Sequence, residues 1–178
     1  MSQGQRRWWL LAEDQEHERF ALTLARRMGF KDRPIKVYRS PDGLGAASAW
    51  VRKQYPNLAR TTVRQRPKES VVLLVMVDGD NEGVVRRKQQ LDEALRSIGE
   101  PARGSGEPIV VLVPTWEIET WLVGRVDGLT ETRSLKARLP SPCAEDFEQA
   151  AARVLFADDE EPLPSIRDAW SELERVRP

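Results

Sequence analysis

The chain has 178 residues, 40% of them hydrophobic and 31% charged, a balance that suits one globular domain with a buried core and excludes an extended disordered chain. Lys plus Arg and Asp plus Glu number 28 each, which excludes a protein that coats nucleic acid by bulk charge but leaves room for a local basic groove. The one cysteine, Cys143, excludes an intrachain disulfide and suits a reducing compartment. No apolar run approaches the length of a membrane span, so a cytoplasmic protein without membrane attachment is expected.

Trp8–Ala12 forms the first apolar run and stops abruptly at Glu13 and Asp14, as a strand buried on both faces would. Phe20, Ala21, Leu24, Ala25 and Met28 then recur at helical spacing, with Gly29 as the stop. Ile35–Tyr38 reads as a second strand, followed by a turn-rich loop from Ser40 to Gly45. A helix is expected from Ala46 to about Asn57, with Trp50 on its buried side, and the basic stretch Arg60–Glu69 reads as a loop or frayed helix end. Val71–Val77 is the clearest strand, continuous and partly β-branched, and it too ends in acids: Asp78-Gly79-Asp80-Asn81-Glu82-Gly83. Val84, Leu91, Ala94, Leu95 and Ile98 give a third helix stopped by Gly99. Ile109–Val113 makes a fourth strand, and Ile118–Leu122 begins another helix. The alternation predicts a mostly parallel, Rossmann-like four-stranded sheet flanked by helices over residues 7–124. Beyond it, residues 125–178 are expected to form a helical extension packed on that core, with helices at Ala144–Phe156 and Ile166–Val176.

Acidic residues fall at the ends of three strands: Glu13, then Asp78 and Asp80, then Glu117 and Glu119. Ligands of open α/β sheets bind beyond the carboxyl ends of the strands, where these acids would converge. Like charges held together raise one another's pKa, and a divalent cation removes that conflict. Oxygen donors favour Mg²⁺ or Mn²⁺, and a sole histidine, His17, with a sole cysteine leaves no zinc set. Asp78–Gly83 imitates the opening of a calcium-binding EF-hand loop, but its twelfth position is Gln89 where a bidentate Glu is required. Glu13, Asp78, Asp80, Glu82 and Glu117 are therefore candidate metal ligands, with Glu119 joining Glu13, Asp78 and Asp80 as candidate catalytic residues. The structural alternative for Glu117 and Glu119 is simply to favour a helix N-terminus. Arg86, Arg87 and Lys88 on the helix after the Asp pair, with Arg52 and Lys53, are candidate phosphate contacts; the alternative is a solvated helix face.

The ordered set of a Glu after the first strand and Asp78-Gly79-Asp80 after the third resembles the TOPRIM domain across residues 7–124. Leu11–Phe20 and Val113–Leu122 resemble segments of small bacterial TOPRIM proteins related to OLD-family nucleases of anti-phage defence. That resemblance implies a magnesium-dependent nuclease of two-metal type acting on DNA or RNA. A partner ABC-type ATPase is implied in some such systems, since this chain has no Walker A motif, and a homodimer is an open alternative. The family usually has Gly after its first Glu, and Asp14 stands there instead. With the neutral net charge, that departure favours the rival expectation of a non-catalytic binding subunit.

Overall fold

The structure, a computed structural model, describes residues 7–30, 34, 36–43, 45–65, 71–123, 134–139, 141–156 and 162–176. Four strands form one sheet in the order β2-β1-β3-β4: β1 (Arg7–Ala12), β2 (Lys36–Arg39), β3 (Val71–Met76) and β4 (Ile109–Leu112). All three pairings are parallel, so the fold is α/β and Rossmann-like.

The continuous apolar runs have a direct cause. Alternate residues of β1, β3 and β4 face opposite helical layers, and both layers are apolar. Trp8, Leu10, Val72, Leu74, Val110 and Leu112 pack against α1 (Gln15–Arg27), α5 (Ala144–Phe156) and α6 (Pro164–Glu174). Trp9, Leu11, Leu73, Val75, Ile109 and Val111 pack against α2 (Ala47–Gln65) and α3 (Gly83–Ser97). The C-terminal helices share the first of these cores through Phe147, Val154, Ile166 and Leu173. Among the described residues no helix is long and apolar enough to cross a membrane.

Helix α2 corrects one expectation. It continues through Pro56 to Gln65, where a loop or frayed end was expected after Asn57. Val51, Tyr55, Leu58, Ala59 and Thr62 keep one buried face across the proline, and Thr62 Oγ1 donates to the Leu58 carbonyl at 2.9 Å. Burial of that face offsets the hydrogen bond that proline removes.

The topology determines where a ligand would sit. The chain runs outward from β1 to β2 on one side and from β3 to β4 on the other, so the order reverses between β1 and β3. α1 leaves on one face and α3 on the opposite face. A crevice opens at such a switch point, beyond the carboxyl ends of the two strands.

Candidate functional site

Glu13 follows β1 directly and Asp78 follows β3 by one residue, so the two acids flank the switch point. Glu13 is buried, and its Oε1 accepts from the Asp78 backbone N–H at 3.2 Å. Burial and then the charge of Asp78 push its pKa from the ordinary 4.5 up to about 7, with Asp80 adding and His17 opposing. Asp78 is likewise raised, chiefly by burial, with His17 pulling the other way.

The turn after β3 holds Asp80 in place. Gly79 and Asp80 donate their N–H groups to the carbonyls of Pro114 and Trp116 at 2.9 and 2.8 Å. A Cβ on Gly79 would lie 2.8 Å from the Pro114 oxygen, so only glycine lets the two strand ends approach this closely. Asp80 and Trp116 both have positive φ, 46° and 66°, and face each other in an isolated bridge. Strained backbone of this kind is retained where surrounding contacts over-determine it.

Two buried cations serve these acids. His17 lies on the buried stripe of α1; its Nδ1 is hydrogen-bonded with Asp14 Oδ1 at 2.8 Å and its Nε2 with Asp78 Oδ1 at 2.9 Å. Burial opposes its charge, yet Asp78 and Asp14 outweigh burial and hold its pKa well above the ordinary 6.5. Asp14 also caps α1, accepting from the N–H groups of Glu16 and His17 at 2.9 Å each. Although burial opposes it, His17 keeps the Asp14 carboxyl well below the usual range. Arg87, also buried, donates from Nε to the Asp78 carbonyl and from Nη2 to Asp80 Oδ2, both at 2.8 Å, and from Nη1 to Gln90 at 2.9 Å.

Glu13 and Asp78 are thus in contact, Asp80 is near enough to raise the Glu13 pKa, and Glu119 feels the charge of Asp78. Glu119 opens α4 (Glu119–Val123) and is only 2% exposed. Burial raises its pKa, Glu16 and Asp78 add to the rise, and Lys136 opposes it. With Asp14, Glu16, Asp42, Ser134 and Lys136 it lines an open groove of about 720 Å³.

The other candidates lie elsewhere. Glu117 Oε1 accepts from Ser134 Oγ and from the N–H groups of Leu135 and Lys136 at 2.7 and 2.9 Å, so it caps the short 3₁₀ turn Lys136–Arg138. Glu82 is exposed on the turn before α3, with Arg86 at 3.9 Å. Arg86 is exposed and pairs with Glu93 at 2.7 Å. Arg87 and Lys88 turn inward instead of facing solvent: Arg87 as above, and Lys88 to Asp168 and Glu172 on α6 at 2.8 Å each. Arg52 and Lys53 lie in the second turn of α2, half-buried and exposed respectively.

The Asp14–His17 pair was not singled out by sequence reasoning, and Arg87, expected as a phosphate contact, is instead bonded to Asp78, Asp80 and Gln90. A signal for the first existed: an acid at an N-cap with a histidine three residues on, continuing the apolar stripe of Phe20, Ala21 and Leu24.

Among the described residues no three His, Cys, Asp or Glu side chains form a ready metal cage. Glu13 Oε1, Asp78 Oδ1 and Asp80 Oδ2 each take a protein donor, and among the described residues the second oxygen of each carboxylate takes none. Mg²⁺ needs only one or two such oxygens beside its waters and a substrate phosphate. The chain matches no family model, and no curated protein or solved structure is significantly similar to it.

Proposed function

We propose that the chain is a TOPRIM-like nuclease that uses Mg²⁺ or Mn²⁺ to hydrolyse phosphodiester bonds of nucleic acid. The observation that carries this reading is the gathering of Glu13, Asp78 and Asp80 at the topological switch point, where burial and like charge leave Glu13 with a pKa of about 7. A carboxylate so disfavoured is one that an added cation would stabilise.

Glu13, Asp78 and Asp80 would hold the ion through the oxygens that carry no protein donor. When bound, a divalent ion supplies charge stabilisation at the phosphate and lowers the pKa of water. His17 and Arg87 keep Asp78 and Asp80 in fixed orientations, so ligand geometry does not have to be formed when the ion arrives. Glu119, its pKa raised and lining the groove with Asp14, would accept a proton from an attacking water. Lys53 and Arg86, both exposed, with the half-buried Arg52, remain as candidate cations for the phosphate backbone. Work in anti-phage defence, beside a partner ATPase and in the cytoplasm, follows from the sequence resemblance alone.

One observation favours a second reading, a non-catalytic binding subunit. His17 and Arg87 already answer Asp78 and Asp80 inside the protein, so the fold is complete without an ion. The test is incubation with single- and double-stranded DNA and RNA in Mg²⁺, Mn²⁺ or EDTA, for wild type and Asp78→Asn. Cleavage that requires metal and Asp78 supports the nuclease. Binding without cleavage under every condition supports the subunit.

A further inference from the structure

Ser40, the residue after β2, is only 4% exposed, and among the described residues its Oγ has no hydrogen-bond partner. A buried hydroxyl left without a partner costs free energy, and few native structures keep one. A serine that opens a turn such as Ser40-Pro41-Asp42-Gly43 commonly turns its hydroxyl onto a backbone N–H two residues on, and Ser40 does not.

The strand ladder fixes what lies beside it. The Ser40 N–H donates to the Ala12 carbonyl at 3.3 Å, which carries the β1–β2 pairing one step past Ala12 and Arg39 and sets Ser40 against Glu13. The two share a face of the sheet. On β1, Trp8, Leu10 and Ala12 belong to the core under α1, while Trp9 and Leu11 belong to the core under α2, so alternation carries Glu13 to the α2 side. On β2, Tyr38 packs against that same core and Arg39 reaches Glu18 on α1, so Ser40 also falls on the α2 side. β2 is an edge strand, and no strand stands on the far side of Ser40 among the described residues. Its neighbours on that face of the ladder are Tyr38, Leu11 and Glu13, and of these only Glu13 carries a carboxylate.

The needs of the two side chains are complementary. Glu13 is 8% exposed; its Oε1 accepts from the Asp78 N–H at 3.2 Å, and its other oxygen takes no donor among the described residues. A donor without an acceptor and an acceptor without a donor therefore occupy adjacent buried positions and are not bonded to each other. A carboxylate that holds a metal is as a rule held in turn by an outer hydrogen bond that fixes its orientation.

We infer that Ser40 is a positioning residue for Glu13: its hydroxyl, without a partner in this structure, donates to the Glu13 carboxylate when that carboxylate holds a divalent ion. The inference rests on the metal-dependent reading above. Arg87 and His17 already bond Asp80 and Asp78, and Ser40 supplies the corresponding contact for the third acid.

The experiment compares the full chain as wild type, Ser40→Ala and Ser40→Cys, by thermal melting in EDTA and by calorimetric titration of Mn²⁺ after the chelator is removed. Taking away an unpartnered hydroxyl should leave Ser40→Ala melting in EDTA at or above the wild-type temperature. Its Mn²⁺ affinity should nevertheless fall by at least about tenfold. Ser40→Cys nearly keeps the size of the side chain with a much weaker donor and should show the same fall, which decides the matter even if the alanine variant does not fold. Unchanged Mn²⁺ affinity in either folded variant would overturn the inference and leave the metal reading standing. So would a Ser40→Ala protein that melts clearly lower in EDTA, because the hydroxyl would then already have a partner. No Mn²⁺ binding by wild type would overturn the metal reading and this inference with it.

Discussion

Replacing Glu13 by Gln tests whether the switch-point acids are held under electrostatic stress. Gln keeps the size of the side chain, and its carbonyl can still accept from the Asp78 N–H. In the unfolded chain Glu13 releases its proton near the ordinary 4.5, whereas in the folded protein it keeps it up to about 7. A raised carboxyl pKa means the native state binds more protons than the unfolded one between those values, so stability falls as pH rises through that window and then levels off. At about 1.36 kcal/mol per pH unit, the gap from 4.5 to about 7 corresponds to about 3 kcal/mol lost by wild type. Gln carries no such proton. The variant and wild type should therefore melt together at pH 4, and by pH 8 the metal-free variant should be more stable by roughly 2–3 kcal/mol. For a chain of this size that is roughly 4–12 °C in Tm. Added Mg²⁺ should reverse the order, because an ion that binds only the native site stabilises wild type and has lost a ligand in the variant. Thermal melting from pH 4 to pH 8.5, with EDTA and with Mg²⁺, measures all of this. Melting curves that stay parallel across pH would refute the reasoning, since they would mean Glu13 titrates as an ordinary surface acid.

Asp80→Asn should cut metal-dependent cleavage by orders of magnitude. It should also lower the stability of the metal-free protein, because Arg87, buried, loses its charged partner at 2.8 Å; activity and melting assays check both. Glu172→Gln should cost roughly 3–5 kcal/mol in urea unfolding, since Arg103, bonded to Glu172 at 2.8 Å, would keep a nearly buried charge without its carboxylate and Lys88 would keep only Asp168, while cleavage per folded molecule stays unchanged. The Glu172 carboxyl, held down to about 2 chiefly by Arg103 against the opposing effect of burial, adds stability above its ordinary 4.5 that is lost as pH falls from there toward 2. Gly79→Ala must push the ends of β3 and β4 apart, and should weaken Mn²⁺ affinity in calorimetry along with about 1–3 kcal/mol of stability. Arg52→Ala, Lys53→Ala and Arg86→Ala should each weaken nucleic-acid binding alike across sequences and reduce the magnitude of its salt slope by about one; an unchanged slope would mark these residues as solvated faces.

Much of the architecture is written locally in the chain. The runs Trp8–Ala12, Val71–Val77 and Ile109–Val113 are apolar throughout because helices cover both faces of the sheet, and that pattern is visible without a structure. The acids closing two of those runs follow from the same logic, since a strand's carboxyl end is where the chain leaves the core. Gly29 and Gly99, both with positive φ, end their helices as expected. Periodicity tells which face a side chain occupies, however, and never what stands opposite. The proline and basic residues of α2 suggested an ending that burial of Tyr55, Leu58 and Ala59 overrode. Arg86, Arg87 and Lys88 are one basic run in the sequence but have three fates, because successive helical residues point about 100° apart: Arg86 to solvent, Arg87 under the Asp turn, Lys88 onto α6. His17 and Asp78 are 61 positions apart, and Lys88 and Glu172 are 84 apart. Whether a charge is a solvated group, a ligand or an internal counter-ion depends on the dielectric and the partner at its tip, and only the folding of β1 against β3 supplies both.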